Sequence, residues 1–269
     1  MDYQAQLPEH PLLKEAVCSF WQVSRHNRTL RSETIIPKGI IEVIFSFHEA
    51  PDVCAQLGRQ QLLMPRCSIN GYNTLPIQLQ LPDRQTFFGV VFYPTVIRHL
   101  FRVPAGEFAN HCVDMTLVDA SVNALWHQMA EAGTFARRVD LVSDWLMTRL
   151  TGLTRQEQLF NRFLTDKTGA LLAVSEVARQ LCYSPRQLAR KLRDLTGLNT
   201  EETLLYKKYL KSVELMHHST LSLTEIAHAC QFADQSHFIK AFRSFAQLTP
   251  GEYRNRKSFV AGHLYEEVR

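Results

Sequence analysis

The sequence predicts an α+β fold, with a β-rich N-terminal half and an all-α C-terminal half. Three observations predict it. Short apolar segments interspersed with polar and turn residues fill residues 40–93, as in β-strands. The apolar spacing becomes helical in the middle of the chain. A helix–turn–helix pattern then occurs twice, at about residues 174–195 and 222–245, joined by a long helix. We therefore expect two domains, 1–152 and 153–269.

The β-rich half contains three clear strand patterns. Residues 41–47 place large apolar side chains at alternate positions, so these side chains share one face of a strand. Residues 77–81 alternate apolar and polar side chains, as in a half-buried strand. Residues 87–93 are almost all apolar and predict a strand covered on both faces. Short strands punctuated by turn residues such as Asn70 and Gly71 predict a small β-barrel or sandwich.

Residues 116–152 predict an antiparallel pair of helices. Two apolar stripes recur at helical spacing, and Gly133 and Gly152 are suited to the helix ends. The stripes consist of Val118, Val122, Leu125 and Met129, then Phe135, Val139, Val142, Leu146 and Leu150. The pair can cover the β-domain, join two subunits or do both, and the spacing leaves these alternatives open.

The pattern at residues 222–245 has well-defined helix starts. Ser222 is a good N-cap, and Glu225 three residues later completes a capping box. Asp234 is suited to cap the second helix. That helix has an apolar face that includes Phe242, while its other face is polar and basic. Two short helices at a tight turn are typical of a helix–turn–helix.

A long motif runs through this unit and the segment after it. Its residues are Ile226, Ala227, Phe232, Asp234, Ser236, Phe238, Lys240, Phe242, Arg243, Thr249, Pro250, Tyr253 and Arg254. They match the pattern I-A-x-x-x-G-F-x-[DS]-x-S-x-F-x-[RK]-x-F-[KR], then G-x-[ST]-P-x-x-Y-R, and so the region resembles the AraC/XylS-type transcription regulators. Gln231 and Gln247 replace glycines of the pattern. If the backbone there has positive φ, glutamine is strained where glycine would not be.

Residues 174–195 repeat the same unit. Ser184 is suited to cap its second helix, with Pro185 at the first helical position. Leu188 aligns with Phe238, an offset of 50 residues. The segment also resembles the first helix–turn–helix of the family, with the pattern S-x-R-x-L-x-R-x-F and then T-G-x-[ST]-P. A leucine stands in place of the phenylalanine of that pattern, and Asn-Thr in place of the Ser/Thr-Pro.

A predicted helix at about residues 201–217 joins the two units. At ~1.5 Å per residue this helix is roughly 25 Å long. Successive major-groove faces of DNA lie about 34 Å apart. A rigid helix of that length can therefore hold two recognition helices on one side of a duplex. The sequence predicts that one monomer reads two adjacent segments of the major groove.

The outer faces of the two second helices supply the candidate contacts to double-stranded DNA. Arginines there are suited to guanine edges and glutamines to adenine edges, whereas other basic residues are suited to phosphates. The guanine candidates are Arg186 and Arg190, the adenine candidates are Gln187 and Gln235, the phosphate candidates are Lys191, Arg193, Arg243 and Arg254, and Ser184, Ser236, His237 and Lys240 complete the set. The alternative, that many of these charges form a solvated helix face, stays open.

The N-terminal half carries a weaker resemblance. Pro37, Lys38 and Gly39 precede an apolar strand, and residues 88–94 precede a short helix, as in an N-terminal domain of uncharacterised ligand found in one AraC subgroup. Family members often carry a cupin-like or related β-domain here. The resemblance implies a small-molecule effector, a homodimer formed through the helical pair, and contact with RNA polymerase, since most members are activators.

The charge balance agrees with a nucleic-acid partner. Residues 1–155 contain 14 basic and 14 acidic side chains, whereas residues 156–269 contain 16 and 12, which accounts for the whole net charge of +4. Six scattered cysteines without a CxxC pair predict free thiols in a reducing compartment. No apolar segment is long enough to span a membrane, and the N-terminus does not resemble a signal peptide. We expect a cytoplasmic, nucleoid-associated protein.

We expect neither enzymatic activity nor a cofactor or metal. His48, His99, His111 and Cys112 are isolated, without the His-x-His or CxxC spacing of metal sites. Two other interpretations stay open: the β-half only dimerises, or it is an enzyme domain tethered to a DNA-binding module. The tethered enzyme requires a nucleophile or metal set, which the sequence does not display.

Overall fold

The computed structural model of the chain describes residues 2–26, 31–47, 53–81, 84–166, 173–258 and 260–267, so that His48 lies outside the described residues. The strands are β1 (Asp2–Gln6), β2 (Val17–His26), β3 (Arg31–Ile35), β4 (Ile41–Phe47), β5 (Cys54–Leu57), β6 (Gln60–Leu63), β7 (Cys67–Asn70), β8 (Ile77–Leu81), β9 (Arg84–Phe92), β10 (Cys112–Asp114) and β11 (His263–Glu267). The helices are α1 (Pro11–Ala16), α2 (Val96–Phe101), α3 (Ser121–Glu131), α4 (Phe135–Met147), α5 (Arg155–Thr165), α6 (Val174–Gln180), α7 (Pro185–Thr196), α8 (Thr200–His218), α9 (Leu223–Ala229), α10 (Gln235–Ala246) and α11 (Pro250–Arg256).

The described strands form two antiparallel sheets. The first sheet has the order β1-β2-β9-β4-β7-β10, and the second has the order β11-β3-β8-β5-β6. In the first sheet, Trp21 lies opposite Gly89 and Arg25 lies opposite Gln85. A Cβ atom at position 89 would lie 2.1 Å from the Trp21 ring, so only glycine lets the indole lie against the strand.

The two sheets face each other across a shared apolar core. Ile44 and Phe87 of the first sheet pack with Ala55 and Leu79 of the second. The described strands of one sheet do not pair with those of the other, so the β-half is a two-sheet sandwich and not a closed barrel. The predicted α+β class and β-rich N-terminal half are confirmed.

Helices α3 and α4 form the predicted hairpin and cover the outer face of the first sheet. Trp126 donates a hydrogen bond from Nε1 to the carbonyl of Ser46 at 3.0 Å. The buried Arg138 donates to Oε1 of Gln22 at 2.7 Å. The hairpin begins later than the spacing predicts, because residues 115–117 form a short 3₁₀ helix. Its apolar stripes therefore pack within the domain.

The C-terminal half contains two helix–turn–helix units, α6–α7 and α9–α10, that both pack on α8. The first unit has its own core around Leu188 and Leu192, which are fully buried. In the second unit, Phe238 and Phe242 are fully buried. The helix starts form as predicted, since the side chains of Ser184, Ser222, Asp234 and Thr249 each accept a hydrogen bond from the first turn of the following helix.

The last strand returns to the N-terminal half. β11 pairs with β3, so that His263 lies opposite Ile35 and Tyr265 lies opposite Glu33. The sequence did not indicate this strand, because pairing over such a separation leaves no local pattern. The chain after α11 therefore forms the edge strand of the second sheet and links the helical half to that sheet.

Candidate DNA-binding surface and interdomain cavity

The second helix of the first unit is held in place by its capping box. Oγ of Ser184 accepts a hydrogen bond from the backbone N–H of Gln187 at 3.3 Å. Oε1 of Gln187 accepts in return from the backbone N–H and the hydroxyl of Ser184, at 3.0 and 2.8 Å. Two of the predicted site residues therefore also fix the direction in which α7 leaves the turn.

The polar face of α7 is open to solvent. Leu188 and Leu192 face the core, which leaves the opposite face of the helix for the charged side chains. The exposed candidates are Ser184, Arg186, Gln187, Arg190 and Arg193. Lys191 is half-buried and borders a cleft that also contains His99 and Glu157. The face presents a row of hydrogen-bond donors without a large apolar side chain among them.

The second unit presents a matching face on α10. Oδ1 of Asp234 accepts a hydrogen bond from the backbone N–H of His237 at 2.7 Å, which starts the helix. The ring of His237 stands edge-on to Phe232, with 5.4 Å between centroids. The exposed candidates are Gln235, Ser236, His237, Lys240 and Arg243. Arg254 is half-buried, and its Nη2 donates to the carbonyl of Leu221 at 2.8 Å, which ties α11 to the segment before α9.

The backbone conformation after α9 and after α10 explains why the family pattern has glycine at these two positions. Gln231 and Gln247 both have positive φ, 54° and 56°, which is the condition under which glutamine is strained at these positions. In the first unit the residues in these places are Cys182, with φ 55°, and Gly197, with φ 77°. The helix pairs align at an offset of 49 residues for α6 and α9 but 50 for α7 and α10, so the second turn is one residue longer. The two units therefore share left-handed residues at equivalent places, although their turns differ in length by one residue.

The two exposed faces are joined by one uninterrupted helix. α8 contains 19 residues, so it is about 28 Å long at ~1.5 Å per residue. α7 packs near one part of α8 and α10 near another, and the helix has apolar contacts on several sides. Two donor-rich helices on a stiff connector define a protein that can contact nucleic acid at two places at once.

A cavity of about 470 Å³ lies between the two sheets. Its walls are mostly apolar and include Trp21, Ile35, Ile44 and Phe87. The C-terminal half contributes Leu210, Val213 and Glu214 of α8 to its lining, together with residues 260–263 and Tyr265. Among the aromatic residues of the β-half, Phe87 lines the cavity, whereas Phe45, Phe88 and Phe92 are core residues.

Pairs of oppositely charged side chains line the cavity. Nη2 of Arg25 lies 3.4 Å from Oε2 of Glu33, and Nδ1 of His263 lies 2.7 Å from Oε1 of the same carboxylate. Burial alone would raise the pKa of Glu33, but the hydrogen bond and charge of His263 and the charge of Arg25 lower it below its ordinary value. Nζ of Lys38 lies 3.4 Å from Oε1 of Glu42. Sequence reasoning missed these residues, because they lie on four separate elements and form no motif.

Other candidate chemistry is limited in the described part of the chain. No group of three His, Cys, Asp or Glu side chains there is arranged to hold a metal ion. Nε2 of His99 instead lies 2.6 Å from Oε1 of Glu157, which joins α2 to α5. No helix among the described residues combines the length and apolar character that crossing a membrane requires.

The fold and the paired helix–turn–helix units define a DNA-binding regulator class. Residues 177–256 match a helix-turn-helix domain family, and residues 5–114 match a domain of unknown function (DUF6597). The C-terminal segment is therefore an AraC-type helix–turn–helix domain, as the motif predicted, and the match to a domain of unknown function agrees with the weaker N-terminal resemblance. Its homologues are transcription regulators and not enzymes, as predicted.

The chain is also similar to individual known proteins. The HTH-type transcriptional activator RhaS from Salmonella paratyphi B is 31% identical over 114 residues, which cover 41% of this chain and 41% of RhaS. The chain thus matches less than half the length of that curated relative. Unsaturated fatty acid bound ToxT from Vibrio cholerae is 13% identical with a TM-score of 0.48, covering 90% of this chain and 97% of ToxT. The DNA-binding domain of AdpA in complex with a target DNA is 27% identical with a TM-score of 0.29, covering 31% of this chain and 76% of that domain.

Proposed function

We propose that this chain is a sequence-specific transcription regulator in which each monomer reads two adjacent segments of the major groove. The supporting observation is the pair of exposed polar faces on α7 and α10, both packed on α8. A recognition helix places its N-terminal residues against base edges. Most exposed candidates lie in the first two turns of their helices, whereas Arg193 and Arg243 lie in the last turns.

The proposed roles follow from side-chain chemistry. Arg186 and Arg190 pair with guanine, because a guanidinium fork matches O6 and N7. Gln235 pairs with adenine, and Gln187 does so through its amide nitrogen, since its oxygen serves the capping box. The remaining contacts go to phosphates and fix position without reading sequence. That set consists of Lys191, Arg193, Arg243 and Arg254, with Ser184, Ser236, His237 and Lys240 bordering the bases.

We further propose that a small-molecule effector regulates DNA binding from the cavity. The cavity is concave and mostly apolar with a few polar groups, as ligand sites usually are. Its walls come from both halves, so a ligand there contacts α8 and the segment before β11 directly. This favours an effector over a β-half that only dimerises. We also propose that the protein forms a homodimer and contacts RNA polymerase. By analogy with RhaS, we propose that it acts as an activator on the nucleoid.

Selection of bound fragments from a random DNA pool, at two salt concentrations, tests the proposal. We expect a motif of two short blocks about one helical turn apart, because each monomer carries two reading helices. A doubled arrangement of the blocks supports a dimer. Recovery of no motif, with binding lost at the higher salt, would mean phosphate contact alone and would contradict sequence-specific reading.

A further inference from the structure

At one place in the wall of the interdomain cavity, Gln85 and Arg25 have buried polar atoms without a hydrogen-bond partner. Both amide atoms of Gln85, Nε2 and Oε1, are unpartnered, and so is Nε of Arg25. Gln85 is 3% exposed and Arg25 is 7% exposed. Buried polar groups are almost always hydrogen-bonded, and an unpaired one costs about 1–3 kcal/mol. Such a pair in a cavity wall therefore indicates a missing polar partner.

The two side chains lie next to each other. Arg25 on β2 and Gln85 on β9 are directly opposed in the register of the first sheet, and both line the cavity. Side chains opposed in this way have Cβ atoms about 4.5–5.5 Å apart. One ligand group can therefore reach both. Together they offer two donors and one acceptor.

The fixed charges of the cavity already have partners. Arg25 pairs with Glu33 and Lys38 pairs with Glu42, while Glu214 lies 3.3 Å from Nε2 of His218. An ionic ligand group would enter a site where the wall charges are compensated, and it would lose its hydration without a free counter-charge. A neutral polar group therefore fits this part of the cavity better than an ionic group does. Oε2 of Glu42 is also unpartnered. However, Glu42 lies opposite Val91, which is six residues along β9 from Gln85. At the rise of a β-strand, that separation is about 20 Å.

The shape of the wall favours a flat ligand body. The Trp21 indole lies against Gly89, where a Cβ atom would come within 2.1 Å of the ring. Its neighbours along the same wall include Val23 and Phe87, which are apolar. A planar aromatic ring system stacked over the indole buries apolar area on both faces.

We propose that this cavity binds a neutral ligand with a planar aromatic body and an amide edge. The ligand carbonyl accepts from Nε2 of Gln85 and Nε of Arg25, and the ligand N–H donates to Oε1 of Gln85. One amide thereby satisfies all three unpartnered atoms. The inference rests on the proposed effector-responsive function and names the chemical class of the effector.

Isothermal titration calorimetry of the full chain with four matched probes tests the ligand class. The probes are 2-naphthamide, methyl 2-naphthyl ketone, 2-naphthoate and 2-naphthylmethylamine. They share one body, but only the amide carries a neutral donor and acceptor together. We expect the amide to bind at least about tenfold more tightly than each of the others. Equal binding of amide and ketone, tightest binding of the carboxylate, or no binding by any probe would overturn the proposal.

Two variants locate the contact. Gln85→Leu removes the amide at similar volume, and we expect the 2-naphthamide affinity to fall about tenfold while the ketone affinity stays within about threefold. The unliganded variant should melt no lower than the parent, because it loses only unpartnered polar atoms. Gln78→Leu, an exposed position on the outer face of β8, is the matched control and should bind as the parent does. A Gln85→Leu variant that keeps the amide preference would place the ligand elsewhere and overturn the assignment.

Fluorescence anisotropy on a DNA fragment recovered by selection separates this inference from the proposed function. If 2-naphthamide binds as expected and changes DNA affinity, both are supported. If it binds and leaves DNA affinity unchanged, the ligand class stands and effector regulation is contradicted. If DNA is read specifically but none of the probes binds, the regulator function stands and the ligand class is overturned.

Discussion

The phenol oxygen of Tyr206 accepts a hydrogen bond from the backbone N–H of Gly39 at 3.0 Å, and it donates one to the carbonyl of Asn73 at 2.6 Å. Tyr206 lies on α8 and is fully buried, whereas Gly39 lies in the turn before β4. Gly39 has φ 66°, and a Cβ atom at this position would lie 2.4 Å from the side chain of Leu210. The helix that joins the two helix–turn–helix units is therefore hydrogen-bonded directly to a turn that lines the cavity.

Removing this hydroxyl should weaken the junction between the halves. Tyr206→Phe leaves a buried N–H and a buried carbonyl unpaired, so we expect the free energy of unfolding to fall by about 1–3 kcal/mol. Urea unfolding followed by circular dichroism measures it. Tyr3→Phe, at a residue that is 49% exposed, is the control and should change stability by less than about 0.5 kcal/mol. Equal midpoints for the parent and Tyr206→Phe would contradict this prediction.

The left-handed turn after α10 predicts a stabilising substitution. Gln247 has φ 56°, where the equivalent residue of the first unit is Gly197. The left-handed conformation costs a non-glycine residue roughly 1–2 kcal/mol, so Gln247→Gly should stabilise the chain by about 1 kcal/mol. Gln247→Ala keeps the strain and should give no such gain. Thermal melting distinguishes the two, and equal melting temperatures for the glycine and alanine variants would show that strain at this turn is negligible.

Arg190 and Lys191 are adjacent but should differ in their effect on DNA binding. Arg190→Ala should cost about 1–3 kcal/mol on the selected sequence and relax specificity at one base pair. Lys191→Ala should weaken all sequences alike and reduce the salt slope by about 1. Arg162→Ala, an exposed position on α5 outside both units, is the control. If both variants lose equal affinity on selected and scrambled DNA, the division of roles is wrong.

Lys207 predicts a distinct dependence of stability on pH. Its ammonium is buried between α8 and α5 and donates to the carbonyls of Phe163 and Asp166. Burial lowers the pKa of Lys207 from 10.5 to about 8, against the opposing charge of Asp166. Between these pKa values the unfolded chain binds more protons, so the contribution of Lys207 to stability rises with pH by up to about 1.4 kcal/mol per unit.

Comparison with Lys207→Met isolates that contribution. The free energy of unfolding of each protein is measured at about pH 7.5 and about pH 9.5, and the parent should gain on the variant as pH rises. Other titrating groups are common to both proteins and cancel in the difference. A difference that stays constant over this window would show that Lys207 does not change its pKa on folding.

Local sequence signals predicted the helical half well. The last strand and the cavity could not be predicted, because they depend on pairing between residues far apart in the sequence. Ser222 and Glu225 are neighbours in sequence, so their capping box can be read without a structure. The pairing of His263 with Ile35 joins residues more than two hundred positions apart, which no periodicity reports. The cavity residues Arg25 and Gln85 likewise become neighbours only through strand register. The candidate DNA-contact set came from a motif, whereas the candidate ligand site required the fold.

The core of the second helix–turn–helix unit predicts a large effect of one substitution on stability. Phe242 is fully buried, and its ring lies 5.1 Å from that of Tyr209 and 5.7 Å from that of Tyr253. Phe242→Ala should cost about 3–5 kcal/mol, since it removes a large core side chain and leaves a cavity. Ile239→Ala, at a residue that is 37% exposed on the same helix, should cost much less. Differential scanning calorimetry measures both, and a Phe242→Ala variant that melts like the parent would mean that α10 does not pack on α8 as described.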